Sequence, residues 1–254
     1  MVSWAHDWGR LVFRWIGDGA DLLLPRSCRL CRAEGDLPGH GFCAECAREL
    51  VVDGARCPRC GEPAAAAVPT CPACRRSPTP WAGLVFLGGY DGRLREAILR
   101  IKRPGAEDLA QGLGMLLVDK HRAALEAARC DAVVPVPMHW WRRATRGTSA
   151  AEEIARAVGR TLRLPVVSAL VRARATPMQN ALPPEDRPAN VADAFRGRGG
   201  VSGRRVLLID DVFTTGATLA ACAASLRAAG AAATFGAAVA RADRLADDGR
   251  RGGP

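Results

Sequence analysis

The sequence predicts an α/β protein built on a largely parallel open sheet, with a small metal-stabilised module in front of it. Three observations lead there. Apolar runs of strand length alternate with helical stretches from residue 81 onward, one such strand ends in an acidic doublet and a hydroxyl-rich turn before a helix, and eight of the ten cysteines fall in C-x-x-C pairs ahead of residue 75. Alternation of strands with helices favours parallel pairing. A chain of 254 residues suits one α/β domain of ordinary size plus an appendage. With 48 % apolar and 24 % charged residues it has the composition of a folded protein, and disorder is not the default.

Residues 1–24 form the first unit. Trp4, Trp8, Leu11, Val12 and Trp15 recur at helical spacing, whereas Asp7, Arg10, Arg14, Asp18 and Asp21 interrupt any apolar run. The segment reads as an amphipathic helix that packs on the protein's own body in preference to a membrane surface, and not as an export signal. No stretch has the apolar length that spans a bilayer, so a cytoplasmic, reducing location is expected.

Residues 25–80 read as a double zinc ribbon. Cys28/Cys31, Cys43/Cys46, Cys57/Cys60 and Cys71/Cys74 are separated by eleven, ten and ten residues. Each C-x-x-C turn converges two thiolates, and two turns complete a tetrahedral shell, so eight ligands make two closed, structural zinc sites. The sequential arrangement is favoured because 28–46 and 57–74 look like one unit written twice; the crossed arrangement, 28/31 with 57/60, is also compatible with the near-equal gaps. Disulfides would need an oxidising compartment, and an iron–sulfur cluster needs only four cysteines, usually at other spacings. His40 lies close enough to compete, but the cysteine count is already complete. Pro58 and Gly61 suit a tight knuckle. A module of about fifty residues buries little core, so its metal is expected to fold it. Cys130 and Cys222 stand alone and read as small buried residues.

The body spans residues 81–245, with a polar tail at 246–254. Residues 82–90 are strand-like, Asp91 and Gly92 make a turn, and helices fit 93–102 and 108–129. Residues 131–137 form a short buried strand running into a proline-stiffened loop. A helix at 150–162 and a strand at 166–171 follow. Residues 172–200, rich in Pro, Gly and Arg, show little periodicity, and a stretch of that length is usually functional or mobile. A strand at 206–209, a helix at 216–229 closed by Gly230 and a strand at 234–240 complete the order.

The strand at 206–209 passes into Asp210, Asp211, Val212 and Phe213, then into Thr214, Thr215, Gly216, Ala217 and Thr218. In an open parallel sheet, ligands bind where strands end and helices begin. Backbone N–H groups, hydroxyls and a helix N-terminus are the parts of an anion cradle, and Gly216 removes the side chain that would obstruct it. Two carboxylates would repel a bare phosphate, so the ligand must also present sugar hydroxyls or a divalent cation. Helix capping alone needs one Thr or Asp, not this whole array.

This segment resembles the PRPP (5-phosphoribosyl-1-diphosphate) signature of type I phosphoribosyltransferases. Nearly the whole chain resembles the ComF family of competence proteins, in which a double zinc ribbon precedes a phosphoribosyltransferase domain. The likeness is carried by the paired C-x-x-C motifs, Tyr90, Asp91, Gly92 and Lys102, the run Val134, Pro135, Val136 and Pro137, and Arg174, Gln179, Arg187, Asn190, Val191, Ala194 and Phe195. The resemblance implies that Asp210 and Asp211 contact ribose hydroxyls and are the catalytic acids of any enzyme, and that Thr214 through Thr218 hold the 5′-phosphate. It further implies that the loop from Val136 and Pro137 to His139 faces the diphosphate with Mg²⁺, and that Arg174, Gln179 and Arg187 lie on a loop closing over PRPP. Where the family reads Arg-Gly-Phe-Asn-Gln, this chain has Arg146, Gly147, Thr148, Ser149 and Ala150, so only Arg146 is carried over.

The formal charge of +10 is concentrated in residues 140–175, where eight arginines face two glutamates. Such a cluster suits phosphate or nucleic-acid partners, although for Arg156, Arg160 and Arg163 a solvated helix face is an equal reading. Three functions follow: a PRPP-binding accessory of DNA uptake that meets single-stranded DNA and a helicase or recombination partner, a phosphoribosyl transferase acting on an unknown amine or base, and a PRPP-sensing regulator.

Overall fold

The computed structural model describes residues 26–52, 54–66, 68–138, 149–172 and 194–242. The amphipathic helix expected at 1–24 and the tail at 246–254 lie outside them. In chain order the elements are α1 (Ala44–Leu50), α2 (Pro72–Arg76), β1 (Leu84–Gly89), α3 (Gly92–Ile101), α4 (Glu107–Ala127), β2 (Ala132–Pro135), α5 (Ala150–Leu162), β3 (Leu170–Arg172), β4 (Phe195–Gly197), β5 (Arg205–Phe213), α6 (Ala217–Ala228) and β6 (Ala233–Arg241).

Strands β1, β6, β5 and β2 lie side by side in that order, and every pairing among them is parallel. Successive side chains of a strand point to opposite faces, and the core divides accordingly. Val85, Leu87, Val133, Leu207, Ile209, Ala237 and Val239 face α3, α4 and α5, through Leu94, Ile98, Leu113, Leu117 and Ile154. Leu84, Phe86, Val134, Val206, Leu208 and Ala238 face α6 and β3–β4, through Leu219, Cys222, Leu226, Leu170 and Phe195. Both faces are covered, which is why these strands are near-continuous apolar runs.

Three expectations need correction. The acidic doublet does not end its strand. β5 continues to Phe213 because β6 offers partners the whole way, with Asp210 opposite Ala238 and Phe213 opposite Arg241. The strand expected at 166–171 shrinks to one parallel bridge, Val133 with Val166, and then leaves the sheet. Its end becomes β3, which pairs antiparallel with β4 inside the stretch read as irregular. The turn read as Thr214 through Thr218 is shorter, since Ala217 and Thr218 already belong to α6.

The zinc ribbons are packed into this body. Cys28, Leu30, Phe42, Cys46 and Leu50 belong to the same core cluster as Leu94, Ile98, Leu113 and Leu117. The second ribbon buries little apart from its own cysteines, Cys57, Cys71 and Cys74. Backbone bonds tie both ribbons to β1: Val52 N–H donates to Leu87 O at 3.0 Å, and Leu84 N–H donates to Pro58 O at 2.8 Å. Leu50 is fully buried in the shared core, so Leu50→Ala is expected to cost about 2–5 kcal/mol. Chemical denaturation followed by far-ultraviolet circular dichroism should show a lower midpoint and one transition, because ribbon and body unfold together.

Candidate functional site

Each zinc site is assembled from a knuckle and a short helix. In the first, Cys28 and Cys31 sit in a turn that Arg32 N–H closes onto Cys28 O at 2.9 Å, and Cys43 and Cys46 sit at the start of α1. Cys43 N–H points at Cys28 Sγ at 3.4 Å, and Cys46 N–H at Cys43 Sγ at 3.5 Å. The second site repeats this with Gly61 N–H on Cys57 O at 2.8 Å, Cys71 N–H on Cys57 Sγ at 3.4 Å and Cys74 N–H on Cys71 Sγ at 3.5 Å. Within each tetrad all four sulfurs lie inside 4.8 Å of one another. The tetrads are the sequential ones, Cys28, Cys31, Cys43, Cys46 and Cys57, Cys60, Cys71, Cys74, and the crossed arrangement is excluded. Burial opposes ionisation of Cys28, but backbone N–H donors from Cys31, Cys43 and Leu30 outweigh it and bring the thiol down to about 6; Cys57 behaves alike. Four converging sulfurs with N–H donors aimed at them fit a closed structural Zn²⁺ site. His40 is not a ligand: it is buried, and its Nδ1 accepts from Phe42 N–H at 3.1 Å.

The second constellation lies at the carboxyl edge of the sheet. Asp210 and Asp211 stand near the end of β5, and Val136 N–H bonds to Ile209 O at 2.8 Å, which brings Val136 and Pro137 beside them. Asp210 Oδ1 accepts from Asp211 N–H at 2.9 Å, and Asp211 Oδ1 from Val212 N–H at 2.8 Å. Enclosure at this edge, and then the neighbouring Asp211 charge, hold the Asp210 carboxyl well above the usual carboxylate range. Lys102, at the C-terminal end of α3, approaches with Nζ 3.4 Å from Asp211 Oδ2, and the two side chains are 32 % and 24 % exposed. A half-open pair of this kind stabilises little and exchanges partners readily. Lys102 belongs to the pattern that carries the family resemblance, but it lies 109 positions from Asp211, and no local signal joins them.

Thr214, Thr215 and Gly216 form the turn after β5, and Ala217 N–H points at Thr215 Oγ1 at 3.4 Å. Gly216 is the N-cap of α6, at φ +82° and without a side-chain cap. A β-carbon there would meet the Phe213 ring at 2.9 Å and Trp81 at 3.2 Å, so glycine is required by both backbone and space. The turn thus leaves a backbone-lined helix start beside two carboxylates and an ammonium.

His139, Trp140, Trp141, Arg142, Arg143, Arg146, Arg174, Gln179 and Arg187 lie outside the described residues. Of the basic stretch that is described, Arg156 pairs with Glu152 at 3.6 Å and with Glu153, and Arg160 donates to Gln111 Oε1 at 2.8 Å. Arg156 is paired within its own helix, and Arg160 bridges α5 to α4. Ser149 and Ala150, which stand where the resemblance expects amides, are buried at the start of α5. Cys222 is fully buried, and burial pushes the Cys130 thiol up to about 11. Neither cysteine has the character of a nucleophile. Among the described residues, no helix is long and apolar enough to cross a membrane.

Known proteins resemble this chain in sequence. A model of the double zinc ribbon domain matches residues 19–79. The DNA utilization protein YhgH of Escherichia coli is 34 % identical over 84 % of this chain and 95 % of its own length. Competence protein F of Haemophilus influenzae is 29 % identical over 76 % of this chain and 86 % of its own. Among solved structures, the glutamine PRPP amidotransferase of B. subtilis aligns over 52 % of this chain and 26 % of that one, at 21 % identity and a TM-score of 0.36.

Two outcomes follow from this geometry. Metal analysis should return two zinc ions per chain, and stripping them with a strong chelator should lower the thermal midpoint of the body as well as the ribbons. Asp210→Asn should raise the midpoint at neutral pH. With its folded pKa above the unfolded value, Asp210 binds more protons folded than unfolded, so its contribution weakens stability as pH rises from about 4. The advantage of Asn should therefore be full above the raised pKa and vanish below about pH 4, as thermal melts across pH would read.

Proposed function

Because this chain belongs to the ComF family of competence and DNA-utilization proteins, we propose that it binds a phosphorylated ribose, PRPP, at the carboxyl edge of β5 and β2, in support of the use of DNA taken up by the cell. The observation that carries the reading is the juxtaposition of the Asp210–Asp211 doublet, the Lys102 ammonium and the start of α6, whose N-cap is the side-chain-free Gly216. A phosphate dianion is stabilised at a helix start by backbone N–H groups and the helix dipole. The carboxylates would oppose it unless the same ligand offered hydroxyl donors, and a ribose does so a few ångströms from its 5′-phosphate.

In this reading the Thr214–Thr215–Gly216 turn with Ala217 and Thr218 takes the 5′-phosphate, and Asp210 and Asp211 accept from ribose hydroxyls. The chain leaving β2 at Val136 and Pro137 faces the diphosphate. Lys102 is the cation at hand for that group, released from Asp211 as the ligand arrives. The donor set at the edge, two carboxylates beside a diphosphate, suits Mg²⁺, which would neutralise charge on the leaving diphosphate. Arg174, Gln179 and Arg187 are assigned to the diphosphate side by the resemblance. Single-stranded DNA is assigned to the segment with Trp140, Trp141, Arg142 and Arg143, where two aromatic side chains adjoin two cationic ones, the groups that stack on bases and neutralise phosphates. A competence helicase or recombination protein is the expected partner.

Calorimetric titration with PRPP, with and without Mg²⁺, tests the reading. Saturable binding is expected, strengthened by Mg²⁺. Asp211→Asn should weaken it about tenfold or more, since a charge-assisted hydrogen bond is lost. Gly216→Ala should abolish it while both zinc ions are retained. No heat at millimolar PRPP would sink the proposal.

A further inference from the structure

The carbonyls of the second zinc knuckle are all engaged, and three consecutive ones are held by the body. Pro58 O accepts from Leu84 N–H at 2.8 Å, Arg59 O from Trp81 Nε1–H at 2.5 Å, and Cys60 O from Arg241 Nε–H at 3.1 Å. Trp81 and Arg241 then converge on one ring. Trp81 stands edge-on to Phe213 with centroids 5.9 Å apart, and the Arg241 guanidinium lies 6.0 Å over that same ring. Phe213 is the last residue of β5, and its ring and Trp81 are the two groups that a β-carbon at Gly216 would strike. Arg241 is 3 % exposed and ion-paired to Glu62, just past the knuckle. A continuous set of bonds and ring contacts therefore runs from the Cys57/Cys60 zinc ligands to the turn assigned to the phosphate.

The first ribbon is wired differently. Its matching carbonyl, Leu30 O, is taken by Arg100 of α3 at 2.7 Å, on the opposite face of the sheet.

We infer that Trp81 and Arg241 are positioning residues that couple the second zinc site to the phosphosugar turn, so that zinc held by Cys57, Cys60, Cys71 and Cys74 raises ligand affinity and bound ligand in turn retains that zinc. The inference rests on the phosphosugar reading of the turn. The knuckle carbonyls keep their directions only while the metal pins the sulfurs. Without the metal, Trp81 loses its partner at Arg59 O, Phe213 loses its two supports, and the Gly216 turn is freed. Coupling between two binding events is reciprocal, so the effect is readable from either side.

The test uses the full-length zinc-loaded protein with Mg²⁺, treated with N-ethylmaleimide and a zinc chelator, with and without saturating PRPP; alkylation is mapped by peptide mass spectrometry. The expected result is about tenfold slower modification of Cys57, Cys60, Cys71 and Cys74 when PRPP is bound, with a much smaller change at Cys28, Cys31, Cys43 and Cys46. Trp81→Phe, which deletes the indole N–H and keeps a ring, should retain both zinc ions, bind PRPP about tenfold more weakly and lose the selective protection. Equal modification rates with and without PRPP in protein that demonstrably binds it would overturn the coupling alone, and this arm needs no variant. Absence of PRPP binding in the parallel calorimetry would overturn the phosphosugar reading and the coupling together.

Discussion

An open parallel sheet leaves backbone donors and acceptors along its outer strands, and β1 is such a strand here. Its six residues are nevertheless all buried. Val52, just past α1 of the first ribbon, and Pro58, inside the second knuckle, supply the missing partners, Val52 N–H for Leu87 O and Pro58 O for Leu84 N–H, and Lys120 Nζ adds a bond to Leu87 O at 2.9 Å. A strand edge open to water invites pairing with another chain. Covering it with ribbons that cannot slide, because metal fixes their turns, closes the sheet on that side. The ribbons depend on the body in return. The first shares its hydrophobic cluster, and the second has scarcely any apolar contact beyond its cysteines. Sheet and metal module form one folding unit, which accounts for a small cysteine-rich segment surviving without a core of its own.

The candidate site draws on the same frame. Its acids come from β5, its proline-stiffened edge from β2, its ammonium from the end of α3 and its turn from the start of α6. Only the parallel arrangement brings these together, since it gathers strand ends and helix starts on one side. That convergence is unfavourable for stability in the absence of ligand: Asp210 is enclosed beside Asp211, and its carboxyl resists ionisation. Such a cost at a sheet edge is what a ligand carrying hydroxyls and a cation would relieve.

Much of this was legible in the sequence, and the exceptions have a common cause. Cysteine spacing carried the zinc centres because metal geometry acts over a few residues. The apolar runs carried β1, β2, β5 and β6 because buried parallel strands need apolar side chains on both faces. The end of β5 was misplaced because Asp210 and Asp211 look like turn residues, whereas the ladder with Ala238 to Arg241 keeps them extended. The strand at 166–171 was misread because its apolar residues match a strand locally, while only Val166 finds a bridge partner, in Val133, before the chain leaves the sheet. Lys102 on Asp211 and Arg241 on Glu62 were invisible for the same reason. These pairs are set by tertiary approach across 109 and 179 residues, and no periodicity encodes them.

The duplicated ribbons show how one local design can acquire two roles. Both copies keep the antiparallel bridge at the base of the knuckle, Ser27 with Glu34 and Arg56 with Pro63, and both place a left-handed residue after the second ligand. In the first copy that residue is Arg32 at φ +66°, tolerated where the side chain is exposed. In the second it is Gly61 at φ +73°, and a β-carbon there would collide with the Phe86 ring at 2.2 Å. The second knuckle therefore lies flat against the sheet and offers its carbonyls to the body. The first is buried in the shared core through Cys28 and Leu30, on the α3–α4 side of the sheet. Three consecutive carbonyls of the second knuckle are taken, by Leu84 N–H, Trp81 and Arg241, whereas in the first Leu30 O is taken by Arg100 of α3. The second copy thus borders the turn after β5 through Trp81, Arg241 and Phe213, and the first serves the hydrophobic core on the other face of the sheet.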